Sequence, residues 1–147
     1  MINKQLLKVL SVFSCITGAI LGLLAILPPL SGIAFLTLLF FIAPIILIYF
    51  NKLNIIKGYE MEKCLAIGAI SGAISVIGFC IIYFPIASII QLIFKIQSFI
   101  WIKVIFTNIG FLIPMVFFTA IISAITNAFS AFLVSYFSTY FTQNKKG

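Results

Sequence analysis

The sequence predicts an all-α, polytopic membrane helix bundle: four transmembrane helices plus one interfacial amphipathic helix, forming a single transmembrane domain over 1–147. Three observations carry that prediction. The chain has 147 residues, of which 64% are hydrophobic and 7% charged. A soluble domain is about 45–50% apolar and about 25% charged, so a water-soluble fold of this length has nowhere to hide this much apolar surface. Apolar runs recur four times, over about 6–27, 33–50, 64–84 and 112–141, and each is close to the roughly 20 residues a bilayer crossing takes. Charge is sparse between the runs: nine lysines, two glutamates, and no Arg, His or Asp.

The first helix is expected over 6–27, with Lys8 reaching back to the interface along its aliphatic stem. Its apolar run is longer than the roughly 7–15 residues of a signal-peptide core, and no A-x-A site follows, so it reads as a retained helix. A lipoprotein reading of Cys15 fails because Phe13 is bulky and the apolar run continues past the cysteine. Pro28, Pro29 and Gly32 are expected to make the turn into the second helix, 33–50, which extends towards Ile56 if Gly58 caps it. Pro44 falls in the middle of that helix and predicts a kink.

Glu60 and Glu62 precede the third helix, 64–84, where carboxylates favour the positive end of the helix dipole. Pro85 is expected to stop or kink it. From there to Gly110 the chain is apolar but carries Ser88, Gln91, Lys95 and Ser98 at spacings of 3, 4 and 3, which share one helical face. That pattern fits an amphipathic helix over 86–106 lying in the membrane interface. A continuation of the third helix past Pro85 and a re-entrant segment are the alternatives. The last helix, 112–141, is expected to begin near Pro114, a good first-turn residue.

Lysine sets the orientation. With both termini cytoplasmic, Lys4, Lys8, Lys52, Lys57, Lys63, Lys145 and Lys146 lie inside, and only Lys95 and Lys103 outside. The positive-inside rule favours this arrangement, in a plasma or inner cell membrane. Gly18-Ala19-Ile20-Leu21-Gly22 resembles Gly68-Ala69-Ile70-Ser71-Gly72, and Phe41–Pro44 resembles Phe111–Pro114. Those matches outline a tandem hairpin repeat, 6–50 and 64–141, though Gly, Ala, Ile and Phe are common enough here to match by chance.

Two sets of side chains stand out. Ser14, Gly18 and Gly22 share a side of the first helix, and Gly68, Gly72 and Ser75 share a side of the third. Small residues let helix backbones approach closely in lipid, so these faces are expected to meet each other or a second copy. Thr119, Ser123, Thr126, Asn127 and Ser130 form a polar stripe on the last helix. A lipid-facing Asn is unfavourable, so the stripe should face protein or water. It serves either interhelical hydrogen bonding or a path for a small neutral or weakly polar solute.

No catalytic residues, metal ligands or cofactor site are expected. General acid–base work draws on His or a carboxylate, and only Glu60 and Glu62 are present, near a membrane edge. Cys15, Cys64 and Cys80 are dispersed, without metal-ligand spacing or a CxxC pair. No phosphate-binding glycine motif occurs. Lysines beside apolar runs are membrane flanks rather than a nucleic-acid surface. The expected partners are membrane lipids and another membrane protein or a second copy. The expected role is non-enzymatic, through helix contacts, as an accessory subunit or self-associating bundle; a facilitator or channel is the alternative.

Overall fold

The computed structural model describes residues 4–53, 55, 60–94 and 109–144. Within them the chain is helical apart from short turns. α1 spans Lys4–Leu24, α2 Pro28–Leu36 and α3 Ile42–Lys52, with a π-helical segment, Thr37–Phe41, joining the last two. α4 spans Met61–Phe94 and α5 Ile109–Asn144. Four stretches are long and apolar enough to cross a membrane: Lys4–Leu24, Pro28–Lys52, Met61–Phe94 and Gly110–Ser138.

The first turn is tighter than the two prolines suggest. Only Ala25, Ile26 and Leu27 connect α1 to α2, and Pro28 opens α2 instead of belonging to the turn. Its missing N–H falls where a helix has no partner for one. Leu27 is extended, φ −81° and ψ 113°, as a residue before proline prefers. Its carbonyl accepts the N–H groups of Leu30 and Ser31, and the Ser31 hydroxyl bonds Pro28 O at 2.9 Å. At the far end of α3, Ile55 N–H closes on Phe50 O at 2.9 Å, meeting a carbonyl the helix end leaves over. Gly58 lies outside the described residues.

α4 corrects the expectation of a stop at Pro85. The helix runs through that proline to Phe94, so 86–94 belongs to the third helix rather than to a separate interfacial one. The rest of the predicted amphipathic segment, 95–106, lies outside the described residues. One proline removes one rung, whereas ending a helix leaves four carbonyls without partners. In an apolar medium the second is the more costly. α5 likewise begins at Ile109, so Pro114 sits inside it.

α4 is the central element, packed along α1 on one side and α5 on another. Ile42, Ala43, Ile46, Leu47 and Phe50 of α3 are buried against this group, together with Leu10, Leu38, Cys64, Ile67 and Val76. Aromatic rings fasten the outer joints. Phe13 of α1 stacks on Tyr49 with centroids 4.9 Å apart and meets Phe50 edge-on at 5.7 Å. Phe35 of α2 meets Phe79 of α4 edge-on at 5.2 Å.

Candidate functional site

The close crossings are built on glycine, though not all in the expected pairing. A Cβ on Gly18 would collide with the Ser75 carbonyl, and one on Gly22 would come within 2.8 Å of Phe79 O. The small face of α1 therefore lies on α4, beside Ser75. Gly78 was not singled out from sequence, yet a Cβ there would strike the Cys15 backbone. Gly68 and Gly72 turn away from α1 and meet α5. Their added Cβ atoms would collide with Asn127 O and Ser123 O. Ser14 is fully buried, and its Oγ has no hydrogen-bond partner. Ser71 and Ser75, also fully buried, bond the carbonyls of Gly68 and Gly72 three residues back.

The polar stripe of α5 divides. Thr119 and Ser130 bond within their own helix, to Met115 O at 2.8 Å and Thr126 O at 3.0 Å. Ser123, Thr126 and Asn127 instead converge on the break between α2 and α3. Its cause is local. Pro44 brings no N–H, and its ring would clash with the carbonyl four residues back in a regular helix. The π turn, with Phe41 at φ −108° and ψ −6°, changes the pitch just ahead of it. The neighbouring donor, Ala43 N–H, points out of the helix to Asn127 Oδ1 at 2.9 Å. With two donors out of the ladder, two carbonyls need other partners.

The side chains of α5 supply them. Asn127 Nδ2 donates to Leu38 O at 3.0 Å and to Leu39 O at 2.8 Å. Ser123 Oγ reaches Leu38 O at 3.1 Å and Gly72 O of α4 at 3.0 Å. Thr126 Oγ1 donates to Leu39 O. The Asn127 carboxamide thus acts like an inserted peptide group, accepting from the chain below the break and donating to the chain above it. Ser123 and Asn127 are fully buried. The arrangement ties the π-helical segment, α3, α4 and α5 together at one level. From the sequence, Pro44 and Asn127 were each conspicuous, but nothing in their spacing joins them.

Chemistry is sparse elsewhere. Among the described residues, no three His, Cys, Asp or Glu side chains come together. Cys15, Cys64 and Cys80 are free thiols. Glu60 and Lys63 form an exposed ion pair at 2.7 Å. Comparison with known protein families, with characterised proteins and with solved structures gives no match.

Proposed function

We propose that this chain is a multi-pass protein of a cell membrane, with both termini cytoplasmic, that works through helix contacts as an accessory subunit or a self-associating bundle. It carries out no catalysis in this reading. One observation supports it most directly. The most polar cluster of the interior, Ser123, Thr126 and Asn127, bonds to the backbones of neighbouring helices. A solute path needs such groups turned towards an opening, whereas a helix-fastening role uses them as they are found. The outer side of α5 adds support. Only 11% of its most apolar window is buried, against 28–44% for the other three spans. Phe117, Phe118, Ile125 and Phe129 are left for lipid or for a partner helix.

Native mass spectrometry in a mild detergent tests the proposal, paired with chemical cross-linking in the membrane of origin. A defined oligomer or a co-purifying membrane protein is expected. A lone monomer in both experiments overturns the helix-contact role. Orientation is tested separately with single cysteines placed at Lys4 and Lys63, which should both resist an impermeant thiol reagent applied from outside the cell.

A further inference from the structure

Each donor that clamps the π turn has a second acceptor within reach. The Ser123 hydroxyl, with its single proton, lies 3.1 Å from Leu38 O and 3.0 Å from Gly72 O of α4. The Thr126 hydroxyl meets Leu39 O and also, at 2.9 Å, Ile122 O of its own helix. Asn127 Nδ2 donates to Leu38 O and Leu39 O, and to Ser123 O at 3.0 Å. If Leu38 O and Leu39 O withdraw, none of these donors is left unpaired. The two carbonyls have an alternative as well. In a regular α-helix Leu38 O accepts from Ile42 N–H and Leu39 O from Ala43 N–H, four residues on. A π turn moves each such bond one residue further along, and winding it into α-helix restores both. Two nearly complete sets of hydrogen bonds therefore exist for one break. They differ chiefly at Asn127 Oδ1, which holds Ala43 N–H in one set and releases it in the other.

Packing decides which half moves. Five of the eleven residues of α3 are buried, but Ala34 is the one buried residue among the nine of α2. Ile33 and Leu36 are 62% and 57% exposed, and a Cβ on Gly32 would meet nothing within 4 Å. A void of about 40 Å³ lies beside Phe35 and Leu38, closed from the α4 side by Val76, Phe79, Cys80 and Tyr83. A π turn holds one residue more than an α turn. Winding it turns α2 by about 100° and shifts it by about 1.5 Å relative to α3. Phe35 then arrives where Ala34 sits. Its ring takes up the void, and α2 swings outwards for the remaining room. The three residues Ala25 to Leu27 tie α2 to α1, so it stays on the bundle.

We propose that the π turn Thr37–Phe41 is a two-state hinge. In the clamped state Ser123, Thr126 and Asn127 hold Leu38 O and Leu39 O. In the wound state the turn is α-helical, those side chains bond α4 and α5, and α2 is rotated outwards while α3 stays in place. Winding changes the side of α2 that faces outwards, now Ile33 and Leu36, so whatever meets α2 biases the hinge.

The test uses the full chain in phosphatidylcholine nanodiscs. Pairs of spin labels are attached through azide-bearing residues, which leaves the three cysteines in place, and distances are read by double electron–electron resonance. Gly32 with Ile81 reports on α2; Ile48 with Ile81 reports on α3. Pro44→Ala combined with Asn127→Leu supplies the missing N–H to Phe40 O and removes the clamp. It should move the Gly32–Ile81 pair to a second distance, resolved from that of the wild type, and leave Ile48–Ile81 unchanged. Pro44→Ala alone deletes no hydrogen bond and should show both distances in one sample. It decides the matter if the double variant does not fold. A Gly32–Ile81 distance altered by neither variant overturns the hinge. A change shared by Ile48–Ile81 overturns it equally, because α3 then moves with α2.

Discussion

Asn127→Leu removes the carboxamide that bridges the break in the second span while keeping similar bulk, and its effect can be worked out bond by bond. Leu38 O keeps the Ser123 hydroxyl at 3.1 Å, and Leu39 O keeps the Thr126 hydroxyl. The Ala43 N–H, bonded at 2.9 Å to Asn127 Oδ1, loses its partner in a region with no exposure. A buried donor left unmade costs about 1–3 kcal/mol. Interhelical hydrogen bonds in membranes average about 0.6 kcal/mol, because the unfolded chain also finds partners there. The orphaned donor therefore dominates, and a loss of about 1–3 kcal/mol is expected. Thr126→Val should cost only about 0.6 kcal/mol, since Leu39 O retains Asn127 Nδ2 at 2.8 Å. Asn127→Asp should be worst of the three. It sets a carboxylate oxygen against the carbonyls of Leu38, Leu39 and Ser123 in place of a donor. The assay is reversible unfolding in mixed micelles, followed by circular dichroism. The reasoning is refuted if Asn127→Leu stays within about 0.5 kcal/mol of wild type, as at an uninvolved surface site. It is equally refuted if Thr126→Val costs as much as Asn127→Leu.

The same assay checks the other contacts. Gly18→Ala and Gly72→Ala push a methyl into the backbones of Ser75 and Ser123 and should each cost about 1–3 kcal/mol. Gly32→Ala meets nothing within 4 Å and should be neutral or stabilising by about 0.5–1 kcal/mol. Ser14→Ala deletes a buried hydroxyl that has no partner and should leave stability unchanged or raise it by up to about 1 kcal/mol. Ser123→Ala, which removes the one hydroxyl proton shared between Leu38 O and Gly72 O, should lower stability by about 0.6–1.7 kcal/mol. Phe50→Ala empties a fully buried site beside Phe13 and should cost about 3–5 kcal/mol, read as loss of the folded fraction.

The number of long apolar helices and their approximate places were legible because a segment suited to an apolar medium must pair its backbone groups within itself. Four apolar runs of sufficient length therefore mean four helices. Where a proline ends a helix was less legible. Pro28 starts one, Pro85 and Pro114 lie inside others, and only Pro44 coincides with a break. The residue is the same in each case, so its own chemistry does not decide the outcome. At the Pro44 break the groups left over are met by Ser123, Thr126 and Asn127, each 84 to 87 residues along the chain from the backbone group it bonds.

Sequence by itself determined that the chain is helical and that four stretches suit a membrane, and it marked small-residue faces expected to meet protein and one polar stripe expected to face protein or water. These follow from local composition and the 3.6-residue period. Tertiary structure alone decided the pairing. Gly18 and Gly22 bear the same spacing as Gly68 and Gly72, yet the first pair lies on α4 and the second on α5. It also decided that Asn127 completes a hydrogen-bond ladder in another helix, since a carboxamide has no preference for its partner until packing brings one carbonyl pair and one N–H within reach.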